Sequence, residues 1–296
     1  MSSFDELVVF LRVVKDGSFS AAARTLGMSP SAVSKVIARL EQRLNVRLFE
    51  RLGGMIRITQ EGEILRESGQ HVVDAMEEAE NAVANPKAGV SGTVRIHTAL
   101  TTAKYLIVPK LPALLERHPQ LRIDFLLDTE RGDFIRQGID LAVHSGRPTE
   151  LSLVGLPLMR RPWVIAAAPE YLRKYGTPQK PQELLNHRCL NFTIRTQWNM
   201  WTFVEDGELT TVDAPNYIGC NQGELLRTMA LNGLGVVRLA EFHLKSDLEK
   251  GALIPLLREY QDFSEEDRFY LLYLKGRSIA PRVRAVIDFL KENFSE

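Results

Sequence analysis

Two apolar patterns of helical period stand so close together that only Gly27 and Met28 part the end of one from the Ser29-Pro30 start of the next. A turn that short forces two helices to cross tightly, which limits the local fold more than any other feature of the chain. Ser at the N-cap followed by Pro at the first helical position is a strong start signal, because Pro has no N–H to leave unpaired there. Upstream, Leu7, Phe10, Leu11 and Val14 mark one face of a first helix ended by Gly17. Ser20 is expected to cap a second helix running to Leu26, with Gly27 as a left-handed C-terminal residue. In the third helix Val33, Ile37, Leu40 and Leu44 form the expected buried stripe, and Ser31, Ser34, Lys35 and Arg39 fall on the other side.

A helix that starts with small hydroxyls and basic groups suits a DNA major groove: Ser bonds several base edges, and Lys reaches guanine acceptors or phosphate. After it, Arg47-Leu48-Phe49-Glu50-Arg51, Gly53-Gly54-Met55 and Ile56-Arg57-Ile58-Thr59 read as a small hairpin that sets Arg51 and Arg57 near the sugar-phosphate backbone. The formal charge of the 296 residues is zero, yet residues 1–62 net +3 and residues 63–88 net −4. A basic head, an acidic connector and a neutral body imply that the head alone meets a polyanion. The candidate DNA-contacting set is Ser20, Ser31, Ser34, Lys35, Arg39, Arg51 and Arg57.

The run from Phe10 to Glu61, with Gly-Ser-Phe-Ser-Ala-Ala-Ala-Arg-Thr-Leu-Gly, Ser-Pro-Ser-Ala-Val-Ser-Lys, Arg-Leu-Glu, Leu-Phe-Glu-Arg and Ile-Thr-Gln-Glu-Gly, resembles the LysR-type transcriptional regulators. Pro30 departs from the pattern: many members carry Gln there, so Ser31, Ser34 and Lys35 are left to carry more of the readout. The resemblance implies a sequence-specific regulator modulated by a small organic effector, without enzymatic activity. Its partners would be double-stranded DNA and that effector, for which an anionic character is one option. A homodimer or homotetramer, with RNA polymerase as a further partner, is also implied.

The implied architecture is an N-terminal all-α winged helix-turn-helix (1–60), a linker helix and hinge (61–91), and a C-terminal α/β effector domain (92–296). The effector domain is expected as two periplasmic-binding-protein-like subdomains, 92–163 plus 267–296 and 164–266.

Between Glu61 and Ala84 there is no Pro, and Leu65, Gly69, Val72, Met76, Ala79 and Val83 recur at heptad-like spacing. A helix of about 24 residues would span roughly 36 Å. Two readings stand for its stripe: packing against the chain's own body, or pairing with a second subunit. Asn85 to Gly92 reads as a hinge.

The body alternates strand and helix signals, which implies a largely parallel sheet. Strands are expected at Thr93–Thr98, Leu121–Leu127, Asp140–His144, Trp163–Ala168, Cys189–Phe192, Tyr217–Cys220, Gly235–Leu239 and Phe269–Leu274. Helices are expected from Leu106 toward His118, over Phe134–Gly138, Glu224–Asn232 and Pro281–Phe294. Ligands in such sheets bind beyond the carboxyl ends of strands. That rule selects Thr98, Thr101, Thr102, Ser145, Thr193, Asn221 and Gln222 as candidate effector contacts, each with simple capping as its alternative. Trp198 and Trp201 read as core, with pocket lining the alternative.

Other chemistry finds little support. There is no nucleophile elbow, phosphate loop or zinc-protease motif, and the six histidines never fall three or four apart. No metal and no cofactor is expected. No apolar run approaches the roughly 20 residues of a bilayer span, and acids follow Met1 where a secretory leader would carry bases, so a cytoplasmic chain is expected. Cys189 and Cys220 are read as inert thiols, with a thiol switch as the alternative.

Overall fold

The computed structural model describes residues 2–52, 55–84, 89–130, 132–135, 137–194, 197–261, 268–275 and 279–294; the side chains of 51, 52, 55, 71, 77–84 and 197 are outside this description. Met1–Arg95, His118–Ile123 and Gly132–Asp140 form one compact unit, and Ile96–Arg117, Asp124–Arg131 and Leu141–Glu296 another.

The first unit opens with α1 (Ser3–Asp16), α2 (Phe19–Leu26) and α3 (Pro30–Leu44). Gly17 and Gly27 close α1 and α2 in the left-handed conformation, and Ser29 caps α3 by accepting from the Ala32 amide at 3.2 Å. The cap of α2 is Ser18 rather than Ser20: Ser18 Oγ accepts from Ala21 N at 3.0 Å, and Ser20 lies exposed two residues further on. Val9, Phe10, Val13, Ala22, Ala23, Val33, Val36, Ile37, Leu40 and Leu48 make the core. Leu7, Leu11 and Val14 are only partly buried at its edge, and Leu44 is 38% exposed, so the α3 stripe is centred on Val36 and Ile37.

Strands β1 (Phe49–Leu52) and β2 (Met55–Ile58) pair antiparallel, with Glu50 opposite Arg57 and Arg51 opposite Ile56. Helix α4 (Gln60–Ala84) follows. Gly62 and Gly69 are the close approaches: a side chain at Gly62 would stand on the Leu48 carbonyl, and one at Gly69 would run into Leu7. Leu65 packs on the head core while Val72 and Met76 are exposed, so the N-terminal part of the stripe faces its own chain. Residues 85–88 of the expected hinge lie outside the described residues, and Ser91 and Gly92 already belong to a strand.

The remaining elements are β3 (Ser91–Thr98), α5 (Leu100–Thr102), α6 (Leu111–Arg117), β4 (Gln120–Leu127), β5 (Leu141–Ser145), β6 (Leu153–Arg160), β7 (Trp163–Ala167), α7 (Pro169–Tyr175), β8 (Cys189–Phe192), β9 (Met200–Glu205), β10 (Glu208–Asp213), β11 (Asn216–Cys220), α8 (Gly223–Leu231), β12 (Val236–Ala240), α9 (Glu241–Glu249), β13 (Ile254–Leu256), β14 (Arg268–Leu274) and α10 (Pro281–Phe294). One five-stranded sheet has the order β4-β3-β5-β14-β6 and the other β11-β8-β12-β7-β13. Both are mixed rather than largely parallel. β3 runs parallel to β5, and β8 parallel to β11 and β12, but β14 and β7 are antiparallel to their neighbours. The antiparallel strands are those by which the chain passes from one sheet to the other and returns.

All five residues of β7 are buried because both faces of its sheet are covered. Val164 and Ala166 pack with Leu226, Ala230 and Leu244, while Ile165 and Ala167 pack with Tyr171, Trp201 and Phe203. In place of the helix expected over Phe134–Gly138, Phe134, Ile135, Gln137 and Gly138 lie in turns, with Ile139 N donating to Phe134 O at 2.9 Å; Arg136 is outside the described residues.

Candidate functional site

At the head, the N-terminal turn of α3 carries the exposed Ser31 and Lys35 and the half-buried Ser34. Ser31 Oγ lies 3.0 Å from the capping Ser29 Oγ. Arg57 is exposed on β2, and the Arg51 side chain lies outside the described residues. Arg39 is exposed on α3 and also ties that helix to α1. Its Nε pairs with buried Glu6 at 3.1 Å, and Arg43 approaches the same carboxylate at 3.2 Å, so Glu6 clamps α1 to α3. Sequence reasoning also missed Glu41. Its carboxylate is buried, accepts the Leu48 amide at 2.7 Å and the Phe49 amide at 3.2 Å, and pairs with Arg47 at 3.2 Å. It holds the chain at the point where α3 gives way to the hairpin.

In the second unit, a cavity open to solvent lies where the carboxyl ends of β3, β5, β8 and β12 converge. Leu100, Thr101 and Thr102 line it after β3, Ser145 ends β5, Thr129 follows β4, and Gln222 and Gly223 open α8. Its apolar wall includes Trp163, Phe192, Trp198, Phe242 and Phe269.

Arg161, only 6% exposed, lines the same cavity with its guanidinium 4.0 Å from the Trp163 ring centroid, 5.4 Å from Trp198 and 5.8 Å from Phe269. No Asp or Glu is among the described lining residues. Behind this wall, Arg238 donates to the carbonyls of Trp198 and Met200, which fixes the segment carrying Trp198.

Two comparisons bear on these features. Residues 4–63 match the family model described as "Bacterial regulatory helix-turn-helix protein, lysR family", and residues 87–295 match "LysR substrate binding domain". The HTH-type transcriptional regulator CrgA of Neisseria meningitidis is 33% identical over 288 residues, 97% of this chain and 96% of that protein. This chain belongs to the LysR-type transcriptional regulators.

The transcriptional activator TtdR of Escherichia coli is 28% identical across 96% of this LysR-type chain and 91% of its own. Among solved structures, that of CrgA covers 99% of both chains at 32% identity with a TM-score of 0.64. A full-length LysG structure from Corynebacterium glutamicum with bound effector Arg shares the fold at TM-score 0.61 and 20% identity, covering 100% of both chains. The protein is therefore a DNA-binding regulator built from a helix-turn-helix domain and an effector-binding α/β domain.

Within the effector domain the candidate residues divide. Thr101, Thr102, Ser145 and Gln222 line the cavity; Thr98, Thr193 and Asn221 do not. Thr98 is fully buried and spends its hydroxyl on the Val143 carbonyl at 2.7 Å. Thr193 and Asn221 are exposed. Trp198 lines the cavity, whereas Trp201 is core.

Two buried histidines escaped notice in the sequence. His97 Nδ1 and His144 Nε2 lie 2.8 Å apart with stacked rings, and His144 reaches the cavity wall. One proton sits between those nitrogens, so one ring donates and the other accepts. Burial pushes His97 below its ordinary pKa, against the opposing pull of Asp128.

Cys189 is buried with its thiol on the Leu184 carbonyl at 3.7 Å, and burial pushes its pKa up to about 12. In the parallel ladder Cys220 faces Phe192, three residues beyond Cys189. At about 3.3 Å per residue the two thiols stand roughly 10 Å apart along the strands, beyond disulfide reach.

Proposed function

We propose that the chain acts as a cytoplasmic homo-oligomer without catalytic activity, gripping duplex DNA through paired heads and answering to an anionic effector held in the cavity. The observation that carries this reading is the outward N-terminal turn of α3. Ser31, Ser34 and Lys35 stand there on a helix whose opposite side is sealed into the head core. Arg57 supplies the phosphate contact from the hairpin, and Arg51 is assigned the same role.

Val72 and Met76, 52% and 45% exposed on α4, continue the heptad-like stripe past the part that packs on Leu7, and they supply the seam for a second subunit. Thr101, Thr102, Ser145 and Gln222 supply hydroxyl and amide donors at the cavity, beside the first amides of α8. The reading takes domain limits of 1–60, 61–91 and 92–296, with the effector domain divided as 92–163 plus 267–296 and 164–266. Contact with RNA polymerase is the expected outcome of regulation at a promoter.

The test is titration of the purified full chain against DNA from just upstream of its own coding sequence, over a salt series with random competitor. The expected affinity is about 10⁻⁸ to 10⁻¹¹ M with a footprint over two half-sites. Binding of only about 10⁻⁴ to 10⁻⁶ M without a footprint, at that DNA and at promoter fragments selected from a genomic pool, would sink the reading.

A further inference from the structure

Two segments that line the cavity from different sheets continue directly into one polar knot. After β3, the lining residues Thr101 and Thr102 run into the π-helical turn Ala103–Ile107; after β11, Gln222 and Gly223 run into Glu224 at the start of α8. A methyl group added at Gly223 would meet Thr101 Cγ2, His243 Cε1 and Phe192 Cζ, each at 3.5 Å, so the two segments lie side by side. Glu224 is held from its own side: His243 Nε2 lies 3.0 Å away and Arg227 Nη1 3.3 Å, with Arg227 in turn gripped by Asp247. From the other side Lys104 Nζ donates to the same carboxylate at 2.7 Å and the Tyr105 hydroxyl at 2.9 Å.

The two sides of this contact are unequal. Withdrawal of Lys104 and Tyr105 leaves the Glu224 carboxylate with His243 and Arg227, so no charge is stranded without a partner. Lys104 is half-exposed and returns to water. The π-turn supplies the movement: it holds one residue more than an α-turn, and losing that register turns the side chains it carries by about 100°. We propose that Lys104 and Tyr105 form a releasable strap, fastening the first-sheet wall of the cavity to Glu224, and that its release lets the two walls part. The strap sets how readily the cavity admits a solute, whatever the chemistry of that solute.

This role rests on the effector reading of the cavity, but its test uses neither DNA nor effector, so the two fail separately. The experiment is amide hydrogen exchange of the full chain, read by mass spectrometry over residues 103–107 and 223–231. In the wild-type protein both segments are expected to exchange through one shared local opening, faster than β7 and β12. Tyr105→Phe removes the hydroxyl and keeps the ring, whose centroid lies 5.0 Å from that of His243. It should speed both segments by the same factor, about tenfold or more, the scale of one hydrogen bond to a charged acceptor, and leave the head helices unchanged. Lys104→Met should act in the same way by roughly two- to fivefold. In either variant acrylamide should quench more of the tryptophan emission, because Trp163 and Trp198 line the cavity while Trp201 is core.

Three results would each overturn the strap. Exchange of both segments only at the rate of β7 and β12 would mean that the contact opens only with global unfolding. Acceleration of 103–107 alone in Tyr105→Phe would reduce the contact to a local brace. Faster exchange on both sides without added quenching would detach the contact from the cavity. Should Tyr105→Phe fail to fold, Lys104→Met, altered at a half-exposed side chain, decides by the same criteria.

Discussion

Tyr105 and Glu224, 119 residues apart in the chain, are joined by a hydrogen bond of 2.9 Å. Tyr105 lies on a π-helical turn, Ala103–Ile107, that continues directly from the cavity-lining Thr101 and Thr102. Glu224 sits in the first turn of α8, beside Gln222 and Gly223. The same carboxylate accepts from Lys104 Nζ at 2.7 Å and from His243 Nε2 at 3.0 Å, while Arg227 bridges it to Asp247. Burial alone would raise the Glu224 pKa; the donors Lys104, Tyr105 and His243 outweigh it and hold the group at about 2. Single-turn π-geometry is uncommon and tends to mark functional positions. Here it presents two consecutive side chains, Lys104 and Tyr105, to one acceptor, the Glu224 carboxylate.

His243 makes folding sensitive to mild acid. Burial lowers its pKa from 6.5 to about 4, against the pull of Glu224, so it is neutral at pH 7 and donates Nε2–H to that carboxylate. The unfolded chain takes up the proton first. Stability is therefore full above about pH 6.5 and falls as the pH drops toward about 4, by on the order of 3 kcal/mol. Urea midpoints between pH 7 and 4.5 measure the slope. His243→Asn should be less stable at pH 7 and show a flatter profile; an unchanged slope would remove His243 as its source.

Lys35 and Arg57 are expected to fail in different ways. Lys35→Ala should cost about 1–3 kcal/mol of discrimination between a specific site and random DNA. Arg57→Ala should weaken all sequences alike and reduce the salt slope by about one. Competition binding at two or more salt concentrations separates these outcomes. Full discrimination by Lys35→Ala would misplace the recognition turn.

The head was legible because its signals are local: Gly27, Ser29 and Pro30 specify a turn and a cap through backbone chemistry alone. Even there the α2 cap slipped two residues, since Ser18 and Ser20 carry the same hydroxyl. In the body, strands with apolar runs such as Trp163–Ala167 were readable, but β6, the β9–β10 hairpin and α9 were not. Gly155 and Pro157 interrupt the apolar run of β6, the apolar residues of β9 and β10 are interspersed with polar ones, α9 carries weak helical periodicity, and distant partners decide their burial. Pro109 and Pro112 break the expected Leu106–His118 helix into a π-turn, a 3₁₀ turn and the short α6. Arg161 and Glu41 went unseen because a charged residue shows its burial only once the surrounding elements are placed.

The two cysteines should react unequally. Cys189 is buried with a pKa near 12, while Cys220 is half-buried at the end of β11, where its sulfur accepts the Gln222 amide at 3.3 Å. An aromatic disulfide reagent should modify Cys220 in the native protein and reach Cys189 only on unfolding. Peptide mapping after a timed reaction distinguishes them. Oxidation should yield no Cys189–Cys220 disulfide, and recovery of that linkage from native protein would contradict the strand register.

Glu41 is the most informative position at which to unseat the hairpin. Its buried carboxylate is the acceptor for two consecutive backbone amides, Leu48 and Phe49, and Leu48 itself is fully buried in the head core. Glu41→Ala leaves both amides without their acceptor, and each buried donor so stranded costs about 1–3 kcal/mol. Glu41→Gln keeps one carbonyl oxygen and should recover most of the loss. The Arg47 contact contributes little, because its side chain is 83% exposed. Thermal unfolding of the full chain should show a lowered first transition for Glu41→Ala, with phosphate-backbone affinity reduced through the displaced hairpin. An Arg47→Ala protein should unfold like the wild type. If Arg47→Ala proved as damaging as Glu41→Ala, the ion pair and not the amide cradle would be what holds the hairpin to α3.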